Sequence, residues 1–104
     1  MQCTEMIIGE VLTDDHVKEI VNRMQDHVRN LPELIGHSIL AEEGGRMLIL
    51  ITDWSSRQDC LQYNASKAKR QLVAATQHML VGSYVVKLFQ NQTERRCVYE
   101  PRNS

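Results

Sequence analysis

Residues 47–51 read Met47-Leu48-Ile49-Leu50-Ile51, five consecutive apolar side chains. The run is rich in branched residues, and the segment from Arg46 to Trp54 is read as a β-strand. Successive side chains of a strand point to opposite faces, so this one is greasy on both. An antiparallel sheet with one wet face alternates apolar and polar residues instead. Met6-Ile7-Ile8 and Tyr84-Val85-Val86 break the alternation in the same way. Leaving two or three such side chains in water forfeits roughly 4–8 kcal/mol, at about 1.5–3 per residue. Whole domains are stable by only ~5–15 kcal/mol. Both faces of any sheet built here therefore need a cover.

The rest of the chain supplies one cover and not two. A length of 104 residues suits one domain, taken as residues 1–90 with a polar C-terminal tail at 91–104. Met6 to Leu12 reads as the first strand. Thr13 or Asp14 can cap a helix carrying Val17, Ile20, Val21, Met24, Val28 and Leu31 on one stripe, ended by Pro32. His37 to Glu42 and Arg46 to Trp54 form a hairpin across Glu43-Gly44-Gly45. Ser55 or Ser56 can open a short helix to about Asn64, and Ser66 another, with Ala68, Leu72, Val73, Thr76 and Met79 on one side. Ser83 to Gln90 makes the last strand. The order β-α-β-β-α-α-β is the ferredoxin-like split βαβ arrangement, an α+β fold with a four-stranded antiparallel sheet. Right-handed crossovers place the helices on one face. The expected cover for the other is a second copy, sheet against sheet in a homodimer.

Charge and composition narrow the partners. A formal net charge of −1 provides no positive field for phosphate backbones or anionic lipid. RNA-recognition domains share this element order but stack bases on aromatics in their central strands. Here the third strand has no aromatic until Trp54, and the chain holds one Trp, three Tyr and one Phe. No nucleic acid is expected. No apolar stretch approaches the ~20 residues of a transmembrane helix, so no membrane partner is expected either. The N-terminal residues lack a basic region, and Cys3, Cys60 and Cys97 lie far apart as reduced thiols would. A cytoplasmic location is the expectation. The four histidines show no paired spacing, so no metal site is expected.

Three stretches carry a resemblance. Leu31-Pro32-Glu33-Leu34-Ile35-Gly36 leads into the second strand, Trp54-Ser55-Ser56 closes the third, and Ser66 opens the next helix. In these, and across roughly Met6 to Gln90, the chain resembles the antibiotic biosynthesis monooxygenase-like (ABM) family of dimeric α+β barrels. Glu33 departs from the family's usual Gly, and Cys60 from a larger apolar residue. The resemblance implies a homodimeric, cofactor-independent monooxygenase acting on a phenolic, quinol or polyketide-like small molecule. Haem-degrading members use an Asn on the first strand, a Trp in the short helix and a His on the next. Here Met6 to Leu12 has no Asn, Tyr63 stands at the Trp position and Val73 at the His position. Haem is therefore disfavoured, with His78 five residues on as the remaining candidate ligand, and no cofactor is expected.

Cofactor-free oxygenation needs an electron-rich, acidic substrate in a dry pocket beside a group that takes its proton. Tyr63 and His27 are the candidate catalytic residues. His27 lies seven residues after Ile20, on or beside the apolar stripe, and imidazole titrates near neutrality; the bland reading is a ring that covers the core edge. Tyr63 could aim its phenol into a pocket between helices and sheet, or keep its hydroxyl wet. Trp54, Asn64, His37 and Cys60 are the candidate substrate-pocket residues. Each has a structural alternative: a packing anchor, a helix end, a strand end and a core thiol. A non-catalytic small-ligand-binding or stress-response module on the same scaffold is the competing function.

Overall fold

The computed structural model describes residues 2–92. The chain runs β1 (Cys3–Glu10), α1 (Asp14–Arg29), β2 (Gly36–Ala41), β3 (Met47–Trp54), α2 (Arg57–Asn64), α3 (Lys67–Thr76), a 3-10 turn (Gln77–Met79) and β4 (Val85–Gln90). The strands form one sheet in the order β2-β3-β1-β4, every neighbouring pair antiparallel. This is the split βαβ topology expected from the element order. The tail proposed at 91–104 falls almost wholly outside the described residues, as does Cys97.

Local chemistry sets the boundaries. Thr13, Ser56 and Ser66 are the N-caps of the three helices, their hydroxyls accepting from the backbone N–H of His16, Asp59 and Lys69. Asp14 and Asp15 add negative charge at the positive end of α1. Gly44, at φ 74°, makes the turn between β2 and β3. β1 begins three residues earlier than its apolar run and stops at Glu10. Val11 and Leu12 leave the strand: Val11 bonds to the Arg46 carbonyl and Leu12 to that of Met79. β4 likewise begins at Val85 rather than Ser83.

The pleat sorts the side chains. Cys3, Glu5 and Ile7 of β1 and Leu48, Leu50, Thr52 and Trp54 of β3 face the helices and are buried. Ile7, Leu48 and Leu50 pack with Ile20, Met24 and Val28 of α1, Leu72 of α3, and Met79. A second, smaller cluster joins Cys3, Trp54, Cys60 and Tyr63. Met6, Ile8, Met47, Ile49 and Ile51 turn the other way, with Leu40, Val85 and Phe89 beside them. On that side Leu40, Met47, Val85 and Phe89 are 39–51% exposed. The third strand is thus apolar toward both faces, and within the described residues the second face stays open.

Gly9 has a packing reason. A Cβ there would fall 2.8 Å from Tyr84 Cε1 and 3.1 Å from Leu80 Cδ2. The Tyr84 ring lies against this bare backbone and its hydroxyl bonds to Thr76 Oγ1 at 2.7 Å. Gly9→Ala is expected to displace the ring and cost about 1–3 kcal/mol, read as a lower urea midpoint at unchanged slope. An unshifted midpoint would show that the ring relaxes freely.

Candidate active site

Three elements bring the site together. α1 contributes His27 from the margin of its buried stripe, where Met24 and Val28 anchor the helix to the core. β3 ends at Trp54, whose indole N–H donates to Thr52 Oγ1 at 3.0 Å. α2 places Tyr63 one helical turn beyond Cys60, both buried. The Tyr63 ring stacks on Trp54 with centroids 4.7 Å apart and planes 27° apart. Its hydroxyl lies 2.7 Å from His27 Nε2. Tyr63 and His27 are 36 positions apart in sequence, yet they form one hydrogen-bonded pair.

Two adjoining clefts flank this pair. One, about 310 Å³, includes Leu31, Pro32, Trp54, Tyr63 and Ala68 in its lining. The other, about 360 Å³, is bordered by Arg23, Asp26, His27, Gln71 and Leu72. Asn30, Leu31 and Ala68 belong to both. Their sizes are at the lower end for small-molecule sites. The pair bridges the two clefts, with one partner bordering each.

A buried ion pair lies behind Tyr63. Lys69 Nζ donates to Glu5 Oε2 at 2.8 Å, with the two side chains 6% and 0% exposed. The same ammonium donates to Asn64 Oδ1 and sits 5.7 Å from the Tyr63 ring centroid. Glu5 Oε1 has no hydrogen-bond partner among the described residues. Burial pushes the Glu5 carboxyl above the usual carboxylate range, while Lys69 acts the other way.

The same desolvation sets the protonation states of the pair. Burial holds the His27 imidazole below its ordinary value, and the nearby Lys69 charge adds to that effect. Burial raises the Tyr63 phenol, helped by Glu5 and Cys60. Near neutral pH the site therefore holds a neutral imidazole against a protonated phenol. The neutral ring can act as a proton acceptor.

A pH dependence follows. The unfolded chain protonates His27 as pH falls through 6.5, whereas the folded protein resists until lower pH. The His27 contribution to stability is thus complete above that value and lost as pH falls toward the lowered one. Thermal unfolding between about pH 7 and about pH 5 is expected to show a steeper decline for the native protein than for His27→Gln. Parallel profiles would contradict the assignment.

Of the other candidates, Trp54 lines the first cleft and stacks on Tyr63. Cys60 is fully buried behind the pair, its thiol pushed up to about 12 by burial and by Cys3, which leaves it a poor nucleophile. Asn64 ends α2 and binds Lys69 rather than lining either cleft. His37 is exposed on β2 opposite Thr52 and borders neither cleft. Glu5 and Lys69 were not among the candidates. The available signal was faint: Lys69 precedes Leu72 by three positions and so shares its buried side of α3.

With regard to haem, the positions that the resemblance assigns to Trp and His hold Tyr63 and half-buried Val73, and His78 is exposed. His27 Nε2 is engaged by Tyr63. These residues do not fit a histidine-ligated haem. Among the described residues no cluster of three or more His, Cys, Asp or Glu is placed to hold a metal ion.

No family model and no curated protein matches this sequence. Solved structures do. Rv0793 from Mycobacterium tuberculosis superposes with a TM-score of 0.75 at 12% identity, over 92% of this chain and 100% of that one. SnoaB, a cofactor-independent oxygenase from Streptomyces nogalater, gives 0.71 at 14% identity, over 89% and 95%. An antibiotic biosynthesis monooxygenase gives 0.71 at 10% identity, over 88% of this chain and 99% of that one. This chain has the ferredoxin-like fold of these structures. A dimeric ferredoxin-like protein of unknown function from Thermobifida fusca shares it too, with a TM-score of 0.69 at 18% identity, over 86% of this chain and 90% of that one. The likeness read from Leu31 to Gly36, Trp54-Ser55-Ser56 and Ser66 holds at the level of the fold. No helix among the described residues is long and apolar enough to cross a membrane.

Proposed function

We propose that the protein is a homodimeric, cofactor-independent monooxygenase for a phenolic, quinol or polyketide-like small molecule. The observation that carries this reading is the 2.7 Å contact between His27 Nε2 and the Tyr63 hydroxyl beside a cleft walled by Trp54. A substrate hydroxyl in that cleft gives its proton to the Tyr63 oxygen as the Tyr63 proton passes to His27 Nε2. The products of this step are a substrate anion and an imidazolium. Ionisation makes the substrate electron-rich enough to reduce dioxygen, the four-electron oxidant. One oxygen atom enters the substrate, which becomes a quinone, and the other leaves as water. The imidazolium returns its proton as that water forms. Apolar walls limit competing protonation of the anion.

The test is oxygen uptake by the purified protein with a panel of phenols, quinols and polycyclic anthrones, without added metal or flavin. Substrate-dependent uptake with stoichiometric quinone supports the reading. Saturable binding without uptake would assign the scaffold to ligand binding instead.

The open sheet face supports the homodimer. Its apolar strip spans all four strands, from Leu40 through Ile49 and Ile8 to Val85, the extent that a two-fold sheet-on-sheet contact covers. Ile49→Lys, at the middle of the strip, is expected to convert a dimer into a monomer in sedimentation velocity at micromolar concentration. A monomeric native protein would remove this part of the proposal.

A further inference from the structure

The Glu5–Lys69 pair takes no direct part in the proton transfer just described, yet it is the most deeply buried charge in the site. Lys69 Nζ reaches from α3 to Glu5 on β1 and to Asn64 at the end of α2, beside the residue that carries the phenol. It also lies 5.7 Å from the Tyr63 ring centroid. The Tyr63 ring thus meets both Trp54 and a cation fixed by two acceptors. The carboxylate and the amide together confine the lysine head beside the phenol ring.

We propose that Lys69 is a positioning residue of the Tyr63–His27 pair: its pinned ammonium fixes the phenol ring and disfavours a second positive charge on the neighbouring imidazole. The proposal rests on the catalytic reading above and deepens it. Other charged and titratable groups meet His27 from each side. Arg23 and Asp26, on its own helix, border the same cleft, and Asp26 is engaged by Arg29 at 2.9 Å. Tyr63 approaches from α2, and Glu5 lies behind Lys69 on β1. The Lys69 charge is the one that opposes His27 protonation, in line with the direction of its shift. A site that ionises its substrate needs a proton acceptor left empty until substrate arrives, and a fixed cation next door keeps it so.

The test is a histidine NMR titration of the full chain, with the His27 signal identified by its loss in His27→Gln. Lys69→Met is expected to raise the His27 midpoint by about 0.5–1 pH unit, and Lys69→Arg to leave it near the native position. If Lys69→Met does not fold, Glu5→Leu/Lys69→Met removes both buried charges and takes its place. An unchanged midpoint in either folded Met-containing protein overturns the proposal. The titration needs no turnover, so the two readings fail separately. A shifted midpoint in a protein that oxidises none of the phenols sinks the oxygenase function alone. An unmoved midpoint in an active enzyme sinks the role of Lys69 alone.

Discussion

Lys69→Met is expected to lower the unfolding free energy by about 3–5 kcal/mol, the cost of stranding a buried charge. Glu5 has no exposed surface, and one of its carboxylate oxygens already lacks a hydrogen-bond partner among the described residues. Removing the ammonium leaves the other oxygen unpaired as well, with solvent unable to reach it. The carboxyl would then protonate, drawing on the proton affinity that burial has raised. The double substitution Glu5→Leu/Lys69→Met should recover most of the loss, because apolar groups of similar volume suit the site about as well as the ion pair. Urea unfolding of the three proteins measures both effects. A loss below about 1 kcal/mol for the single variant would mean that the pair behaves like a solvated surface bridge.

His27→Gln is expected to reduce oxygenase turnover by about 10²–10⁴-fold, the usual contribution of a positioned general base. Glutamine can keep a hydrogen bond to the Tyr63 hydroxyl but cannot hold a transferred proton. The loss should therefore fall on kcat, with little change in KM, if the substrate is bound chiefly by Trp54 and the cleft walls. Stability should fall by no more than about 1 kcal/mol, the worth of one hydrogen bond. Oxygen-electrode rates with the best phenol of the panel decide the matter. A variant within about threefold of the native rate would show that another group takes the proton.

The fold was legible because its evidence is local. Serine and threonine caps, the α1 stripe and the Gly44 turn each lie within a few residues of what they control. The two-faced character of β3 followed from five adjacent letters. His27 and Tyr63 could be read as candidates, since one sits beside a helical stripe and the other is a lone aromatic on a short helix. Their direct contact could not be read, because it depends on how α1 and α2 cross the sheet. Glu5 and Lys69 were hidden for a stronger reason. A charged residue is by default a solvated one, and these two become partners across 64 positions only when α3 docks over β1. Placing the start of β1 at Met6 also left Glu5 outside the strand, so its inward alternation with Ile7 went unseen. His37, a pocket candidate whose structural alternative was a strand end, is exposed away from the clefts.

The edge position of β4 has a consequence for handling the molecule. Val86 and Leu88 point to the helix side yet are 41% and 39% exposed, while Val85 and Phe89 are bare on the reverse. Only Lys87 interrupts this ribbon with a charge. Among the described residues no strand lies beyond it, so its outer rim offers backbone groups to any extended peptide that drifts alongside. A protomer left without a cover is therefore expected to template strand addition, read as turbidity that precedes unfolding.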